Sequence, residues 1–226
     1  MSIATDARRR IGTEIEPAMP LEIIIPDSSE QIATALATVG WSVTEQFLPQ
    51  TQIVALADEL QSRWDDGAFR AAGVGVGEQL QVRPEIRRDR VHWLEETAQT
   101  AAELPYFTAL ESLRLAINQH LYMGLFGFEG HMTLYPPGSF YRKHLDQFKG
   151  VAHRKVSTIL YLNPDWQPED GGQLRIYMSE SGEGEYRDVL PLSGTLVTFL
   201  SDRFYHEVLP TQRERMSITG WFKVRA

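Results

Sequence analysis

The 226-residue sequence contains no cysteine. That absence excludes disulfides, thiolate zinc sites and iron–sulfur clusters, and leaves His, Asp and Glu as the strong side-chain metal ligands. Long hydrophobic runs are missing as well. None approaches the roughly 18 uninterrupted apolar residues of a membrane span, so no membrane partner is expected. Basic excess is also absent. A net charge of −8 argues against a nucleic-acid partner, because phosphate binding needs a concentrated positive surface. The opening MSIATDARRR carries basic charge with no apolar stretch behind it, so it does not read as a secretory signal, and a cytoplasmic location is the expectation. No internal repeat or low-complexity segment stands out.

What is present is enough apolar material for one large domain, at 42% hydrophobic residues. Residues 1–28 contain Pro17, Pro20 and Pro26 and read as a tail with one strand at Leu21 to Ile25. Residues 29–226 read as a single domain, with helical support over about 29–125 and a β core over about 126–226. Ser28 or Ser29 caps a first helix that Gly40 ends, and Trp41 to Phe47 reads as a strand. Ile53, Leu56, Ala57, Leu60 and Trp64 recur at helical spacing, as do Phe107, Leu110, Leu113, Ile117 and Leu121. Between these helices, Gly67 to Arg90 is too long and too charged for a routine connection and is expected to be a lid or an unstructured loop. From Gly130 onward, short β-branched and aromatic runs alternate with turn residues: His131 to Tyr135, Val156 to Leu162, Gln173 to Met178, Thr195 to Leu200, His206 to Leu209 and Met216 to Val224. Many short strands of this kind indicate a sandwich or barrel, and the helices are expected to cover one outer face of it.

With six histidines available, the triplet His144-Leu145-Asp146 is the first candidate for metal chemistry. Residues two apart on a strand share a face, so both side chains can reach one ion near a strand end. A 2-His-1-carboxylate facial triad needs a second histidine. His206, at the start of a later strand in SDRFYHEVLP, can be returned to the same mouth by a β-roll, whereas His153 sits in a basic turn and reads as a surface residue. Nine residues after His206, the RMSITGWF strand places Arg215, Ser217, Thr219 and Trp221 on one face. An inward guanidinium beside a serine hydroxyl makes a pocket for the far end of a dicarboxylate; the plainer reading is an exposed arginine paired with Glu207 or Glu214. His92, His120 and His131 read as packing residues, although His92 and His131 lie where they can approach the site.

These residues carry a resemblance. HLD at 144–146, His206, and Arg215 with Ser217 resemble the iron motif and co-substrate arginine of 2-oxoglutarate-dependent dioxygenases of the prolyl 4-hydroxylase type. YPPGSFYRKHLD, VSTILYLNPDW, GGQLRIY, FLSDRFYHEVLP and RMSITGWF, in that order, are similar to the catalytic core of the hypoxia-inducible-factor prolyl hydroxylases and their compact bacterial relatives. GWSVTEQFLP and RRDRVHWLEE extend the likeness upstream to about residue 30, while the loop from Ala68 to Val82 departs from the pattern.

The resemblance implies a mainly β fold with N-terminal helices, a double-stranded β-helix of jelly-roll or cupin-like form packed against supporting α-helices. It implies that residues 29–226 form one catalytic domain, with His144, Asp146 and His206 as catalytic iron ligands, Fe(II), 2-oxoglutarate and dioxygen as cofactor and co-substrates and ascorbate as an accessory. Arg215, with Tyr161, Tyr135, Ser217 and Trp221, would hold 2-oxoglutarate; Arg154, Arg142, Arg87 and Asp89 would face the substrate. The plainer role for Tyr161, Tyr135 and Trp221 is core packing. The implied substrate is a prolyl residue in a flexible segment of another protein, hydroxylated at C4, with a translation elongation factor or an oxygen-sensing target as candidate partner. Three rival readings are a hydroxylase of a free amino acid or other small molecule, a non-catalytic jelly-roll binding module, and a zinc-holding protein. The last needs four protein ligands where three are found.

Overall fold

The computed structural model describes residues 28–75, 81–147 and 152–225. The expected strand at Leu21 to Ile25 lies outside them. Three helices come from the first part of the chain: α1 (Ser28–Thr38), α2 (Gln50–Asp65) and α3 (Leu104–Leu121). Each buries the stripe that its sequence spacing dictates: Ile32, Ala33 and Leu36 on α1; Ile53, Leu56 and Leu60 on α2; and Tyr106, Phe107, Leu110, Leu113, Ala116 and Ile117 on α3. Gly40, in the left-handed region at φ +86°, turns the chain out of α1 into the first strand.

The strands, in chain order, are β1 (Trp41–Thr44), β2 (Arg70–Ala71), β3 (Arg90–Trp93), β4 (Gly127–Tyr135), β5 (Tyr141–His144), β6 (Arg154–Tyr161), β7 (Leu174–Tyr177), β8 (Tyr186–Val189), β9 (Leu196–Leu200), β10 (His206–Val208) and β11 (Arg215–Lys223). They form a seven-stranded sheet ordered β1-β9-β6-β11-β4-β3-β2 and a four-stranded sheet ordered β5-β10-β7-β8, with every pairing antiparallel. From β4 onward the chain passes back and forth between the sheets, returning to the large one at β6, β9 and β11. That winding is a double-stranded β-helix.

Alternation along β4 and β11 sorts side chains between two cores. Phe128, Met132 and Leu134, with Ile218 and Phe222 opposite, join the helical stripes in one large cluster, so the three helices cover the outer face of the large sheet. The other face, carrying Tyr135, Ile159, Tyr161, Val197 and Phe199, meets Leu174, Ile176 and Val208 of the small sheet. Each fully buried aliphatic side chain in these clusters contributes about 1.5–3 kcal/mol of transfer free energy. Gly130 and Gly220 stand opposite each other in register, and the Phe128 ring lies across them: a Cβ on Gly220 would come 2.2 Å from Phe128 Cζ.

Several expectations need correction. The strand opening at Trp41 ends at Thr44, and the β4 strand begins at Gly127, four residues before the expected His131. The Gly67 to Arg90 segment carries β2 and an antiparallel Val74–Gln81 bridge, and β3 begins at its last residue. Its charged residues hid this, because short edge strands tolerate charge. β5 and β8 were not anticipated from composition; β8, Tyr-Arg-Asp-Val, is mostly exposed and has no apolar alternation to detect.

Candidate active site

His144 closes β5 and His206 opens β10, and the two are direct register partners across that antiparallel pair. Pairing therefore brings together two histidines 62 positions apart, with ring centroids separated by 4.2 Å. Asp146 lies just past the end of β5 rather than within the strand, so the HxD spacing spans a strand end and the turn after it. Its Oδ1 is 3.5 Å from both His144 Nε2 and His206 Nε2. One ligand atom from each of the three lies within 4.8 Å of the others, a grouping that fits a single metal ion.

The surroundings fix how these donors point. His144 Nδ1 is 2.7 Å from the Arg142 carbonyl and His206 Nδ1 is 3.0 Å from the Phe204 carbonyl. A carbonyl only accepts, so both Nδ1 atoms carry the proton and both Nε2 atoms turn toward Asp146. Ser157 Oγ donates to Asp146 Oδ2 at 2.6 Å and is itself 2.9 Å from Ser201 Oγ. Tyr141 stacks flat on His144, at 3.6 Å between centroids and 18° between planes. Burial alone would raise the Asp146 carboxyl, but the charge of His206 and the close approach of both imidazoles outweigh it and hold that carboxyl well below the usual range. Burial lowers His144, and the neighbouring His206 lowers it further. Burial would lower His206 too, yet the Asp146 charge prevails and raises it. An anion flanked by two imidazoles is a charge balance that a divalent cation can replace.

Arg215, 1% exposed, opens β11 opposite Tyr135 of β4. It forms no ion pair among the described residues, which corrects the alternative that Glu207 or Glu214 neutralises it; Tyr177 occupies Glu207 instead. Arg215 Nε donates to the Gly172 carbonyl at 2.8 Å. Gly172 has φ +64°, and a Cβ there would sit 3.0 Å from Arg215 Cδ, so glycine is needed both for the turn and for the approach. The Arg215 guanidinium lies 4.9 Å from the Tyr135 ring centroid and 5.0 Å from that of Tyr161. A second guanidinium nitrogen, the Tyr161 and Ser217 hydroxyls and the Trp221 indole nitrogen are buried with no hydrogen-bond partner among the described residues. Buried polar groups are rarely left unpaired, and the three at the β6–β11 arginine end, the guanidinium nitrogen and the Tyr161 and Ser217 hydroxyls, fit a bound carboxylate, whereas Trp221 stands six residues farther along β11. Burial raises the phenols of Tyr135, well above the usual range, and Tyr161, to about 12, although Arg215 opposes the shift in both. Both stay protonated at neutral pH, as donors to an anion must.

One cavity of about 820 Å³ contains the three metal-ligand candidates together with Tyr135, Arg215 and Trp221. Arg87 and Arg154 also line it, and each is already engaged. Arg87 holds the buried Asp89 through two hydrogen bonds of 2.8 and 2.5 Å and lies 4.1 Å over the Tyr141 ring, while Arg154 pairs with Glu129 at 2.7 Å and lies 3.7 Å over Trp221. Arg142 is exposed and stacks on Phe140, outside the cavity lining. The other histidines divide: His120 pairs with Glu30 at the surface, whereas His92 and His131 line the cavity.

The sequence reading missed Ser157, Ser201, Tyr141 and Gly172. Alternation back from Tyr161 puts Ser157 on the inward face, and that signal was available; Ser201 follows a strand and gave none. Ser157→Ala is expected to weaken metal binding roughly 10–100-fold, the usual cost of losing a partner that orients a ligand. Titration of the metal-free protein with Co(II), read by its visible bands, checks this; an unchanged affinity would remove the role.

The comparisons agree with the geometry. The family model described as the 2OG-Fe(II) oxygenase superfamily matches residues 130–223. A Pseudomonas putida prolyl-4-hydroxylase structure is 45% identical, with a TM-score of 0.78 over 88% of this chain and 100% of that one. A Trichoplax adhaerens prolyl hydroxylase, solved with a peptide fragment of the hypoxia-inducible-factor oxygen degradation domain, is 25% identical, with a TM-score of 0.76 over 86% and 88% of the two chains. A Caenorhabditis elegans hypoxia-inducible factor prolyl hydroxylase is 28% identical across 95% of this chain, which spans 30% of that relative. The prolyl 3-hydroxylase OGFOD1 of Xenopus laevis is spanned over only 16% of its length. A histidine–aspartate–histidine cluster sharing a cavity with a buried arginine that has no ion-pair partner among the described residues, on a double-stranded β-helix shared with these enzymes, places the chain in the 2OG-Fe(II) oxygenase superfamily.

Proposed function

We propose that the protein is an Fe(II)- and 2-oxoglutarate-dependent prolyl 4-hydroxylase acting on a prolyl residue in a flexible segment of a partner protein. The observation that carries this reading is the cavity joining the His144–Asp146–His206 cluster to the Arg215 guanidinium, which has no ion-pair partner among the described residues. His144, Asp146 and His206 would hold iron from one side and leave the other side free, as a facial triad does. Arg215 would clamp the far carboxylate of 2-oxoglutarate, with Tyr161 and Ser217 donating beside it and Tyr135 as a wall, while Trp221, six residues along β11, lines the same cavity farther from the arginine. Together, bound iron and 2-oxoglutarate supply the activation of dioxygen that oxidises an unactivated C–H bond, with succinate and carbon dioxide as by-products. The protein's own work is positioning and the exclusion of water. Ser157 and the two backbone carbonyls aim the ligands, and Tyr141 backs His144.

Supporting a peptidyl substrate, two structural relatives carry prolyl hydroxylase names, and one was solved with a peptide. Arg87 with Asp89, and Arg154 with Glu129, border the cavity where an extended peptide would lie, and Arg142 sits on the rim beyond. A translation elongation factor is our first candidate partner, with a cytoplasmic, oxygen-responsive role. The test is anaerobic reconstitution with Fe(II) and 2-oxoglutarate, then oxygen, then mass spectrometry of a lysate. New oxygen-mass marks on proline in particular proteins support the reading; 2-oxoglutarate consumption that marks only free small molecules overturns it.

A further inference from the structure

His131 is a buried imidazole for which the proposed chemistry has no use. It lies on β4, in the alternation that also turns Thr133 and Tyr135 into the cavity. Tyr135 stands at the arginine end. His131, four residues away along the strand and so ~13 Å distant, lies toward the other end. There it meets Trp93, edge to face at 4.9 Å and 82°, and Trp221 at 5.6 Å. Trp93, half exposed, is its register partner on β3 and forms the rim. The Arg154 guanidinium, fixed by Glu129, covers the Trp221 ring. The result is a small aromatic chamber in the cavity that also holds the metal cluster.

His131 Nδ1 lies 2.8 Å from Thr133 Oγ1, which leaves Nε2 as the ring's other polar atom. Burial, with the charge of Arg87 behind it, pushes this imidazole down to about 3, so the ring is neutral and has one donor and one acceptor nitrogen. When the Thr133 hydroxyl donates to Nδ1, Nε2 carries the proton. A second donor stands beside it, because the buried Trp221 indole N–H has no acceptor among the described residues. Two buried donors set among aromatic faces select a ligand with acceptors and an apolar body. A prolyl residue matches that chemistry: it has no backbone N–H, so the carbonyls on either side of its ring are its only backbone hydrogen-bonding groups.

Building on the proposed activity, we infer that His131, oriented by Thr133, is a specificity-determining residue that donates Nε2–H to a backbone carbonyl flanking the target proline while Trp93 and Trp221 face the ring. The probe is a capped pentapeptide library with a central proline, assayed below saturation on the full-length iron-loaded enzyme. His131→Phe keeps the aromatic volume and removes the donor. Hydroxylation of the library should fall about tenfold, the upper range for one neutral hydrogen bond, while the 2-oxoglutarate KM stays at the wild-type value. His131→Gln, which restores an N–H donor, should recover most of the loss. Thr133→Val, which frees the tautomer, should give a smaller loss in the same direction. A His131→Phe enzyme as efficient as wild type on the library overturns the inference alone, as does a parallel rise in the 2-oxoglutarate KM. A wild-type enzyme that consumes 2-oxoglutarate yet hydroxylates no library member overturns the peptidyl reading and this inference with it.

Discussion

Alanine at His144, Asp146 or His206 is expected to abolish 2-oxoglutarate turnover while leaving a folded protein. The loss should exceed the roughly 10–100-fold cost of removing an outer partner, because each of these side chains supplies one of only three protein ligands. The fold should survive for a specific reason. The three groups sit at the ends of β5 and β10 and in the following turn, outside the two apolar clusters that hold the sheets and helices together. Asp146→Ala is the most informative of the three. In the metal-free protein, the aspartate is what raises His206 against its own burial. Its loss should return His206 to a neutral imidazole, so a proton and a metal site vanish together. Two assays decide the matter: succinate production under saturating Fe(II), and thermal unfolding of the metal-free protein. Wild-type-like turnover by any one variant removes that residue from the metal site, and unfolding of all three would leave the assignment resting on Ser157→Ala.

Why was this cluster legible from sequence when β2 and the strand β5 beside it were not? Of the strands around the site, β4, β6 and β11 are mostly buried and were readable, whereas β5 is partly exposed and was not; the metal motif was legible because a metal restricts the choice of residue type severely. A cysteine-free chain with six histidines leaves few ways to assemble two imidazoles and a carboxylate. The helix stripes were equally readable, because burial against the large sheet requires 3.6-residue periodicity. Orientation by neighbours was a different matter. Ser157, Ser201 and Gly172 act through a hydroxyl or a backbone carbonyl, and any residue offers a carbonyl. Similarly, Arg87 and Asp89 face one another two positions apart across a strand entrance, a pairing that looks in sequence like ordinary surface charge. Arg142 shows a further limit of reading charge from sequence. It belongs to a basic run around the metal motif and shares β5 with His144, yet it is exposed, stacks on Phe140 and does not line the cavity. Charge density along the chain does not tell which side chain faces inward.

The second large effect concerns Arg215. Arg215→Ala is expected to raise the 2-oxoglutarate KM by about 100-fold, with a much smaller change in turnover at saturation. A hydrogen bond to a charged group contributes about 1.5–3 kcal/mol, and the unpaired guanidinium nitrogen is free to make one that water cannot easily replace in a buried cleft. At about 1.4 kcal/mol per tenfold, that range corresponds to roughly 10–150-fold. The same substitution removes the Nε hydrogen bond to Gly172 and opens a void beneath Tyr135 and Tyr161, so some loss of thermal stability should accompany it. Arg215→Lys separates the two effects. Lysine keeps a cation in the cleft but cannot hold Gly172 and a carboxylate through one planar fork, so its KM should fall between the wild-type and alanine values. Adding succinate, which lacks the keto group but retains the distal carboxylate, should protect the wild type against thermal unfolding more than it protects either variant. Because metal chelation of the keto acid is absent from that measurement, it isolates the arginine contact. Equal protection of all three proteins, or an unchanged KM in Arg215→Ala, would mean that the carboxylate is held elsewhere and that the buried guanidinium is only a brace between β11 and the Gly172 turn.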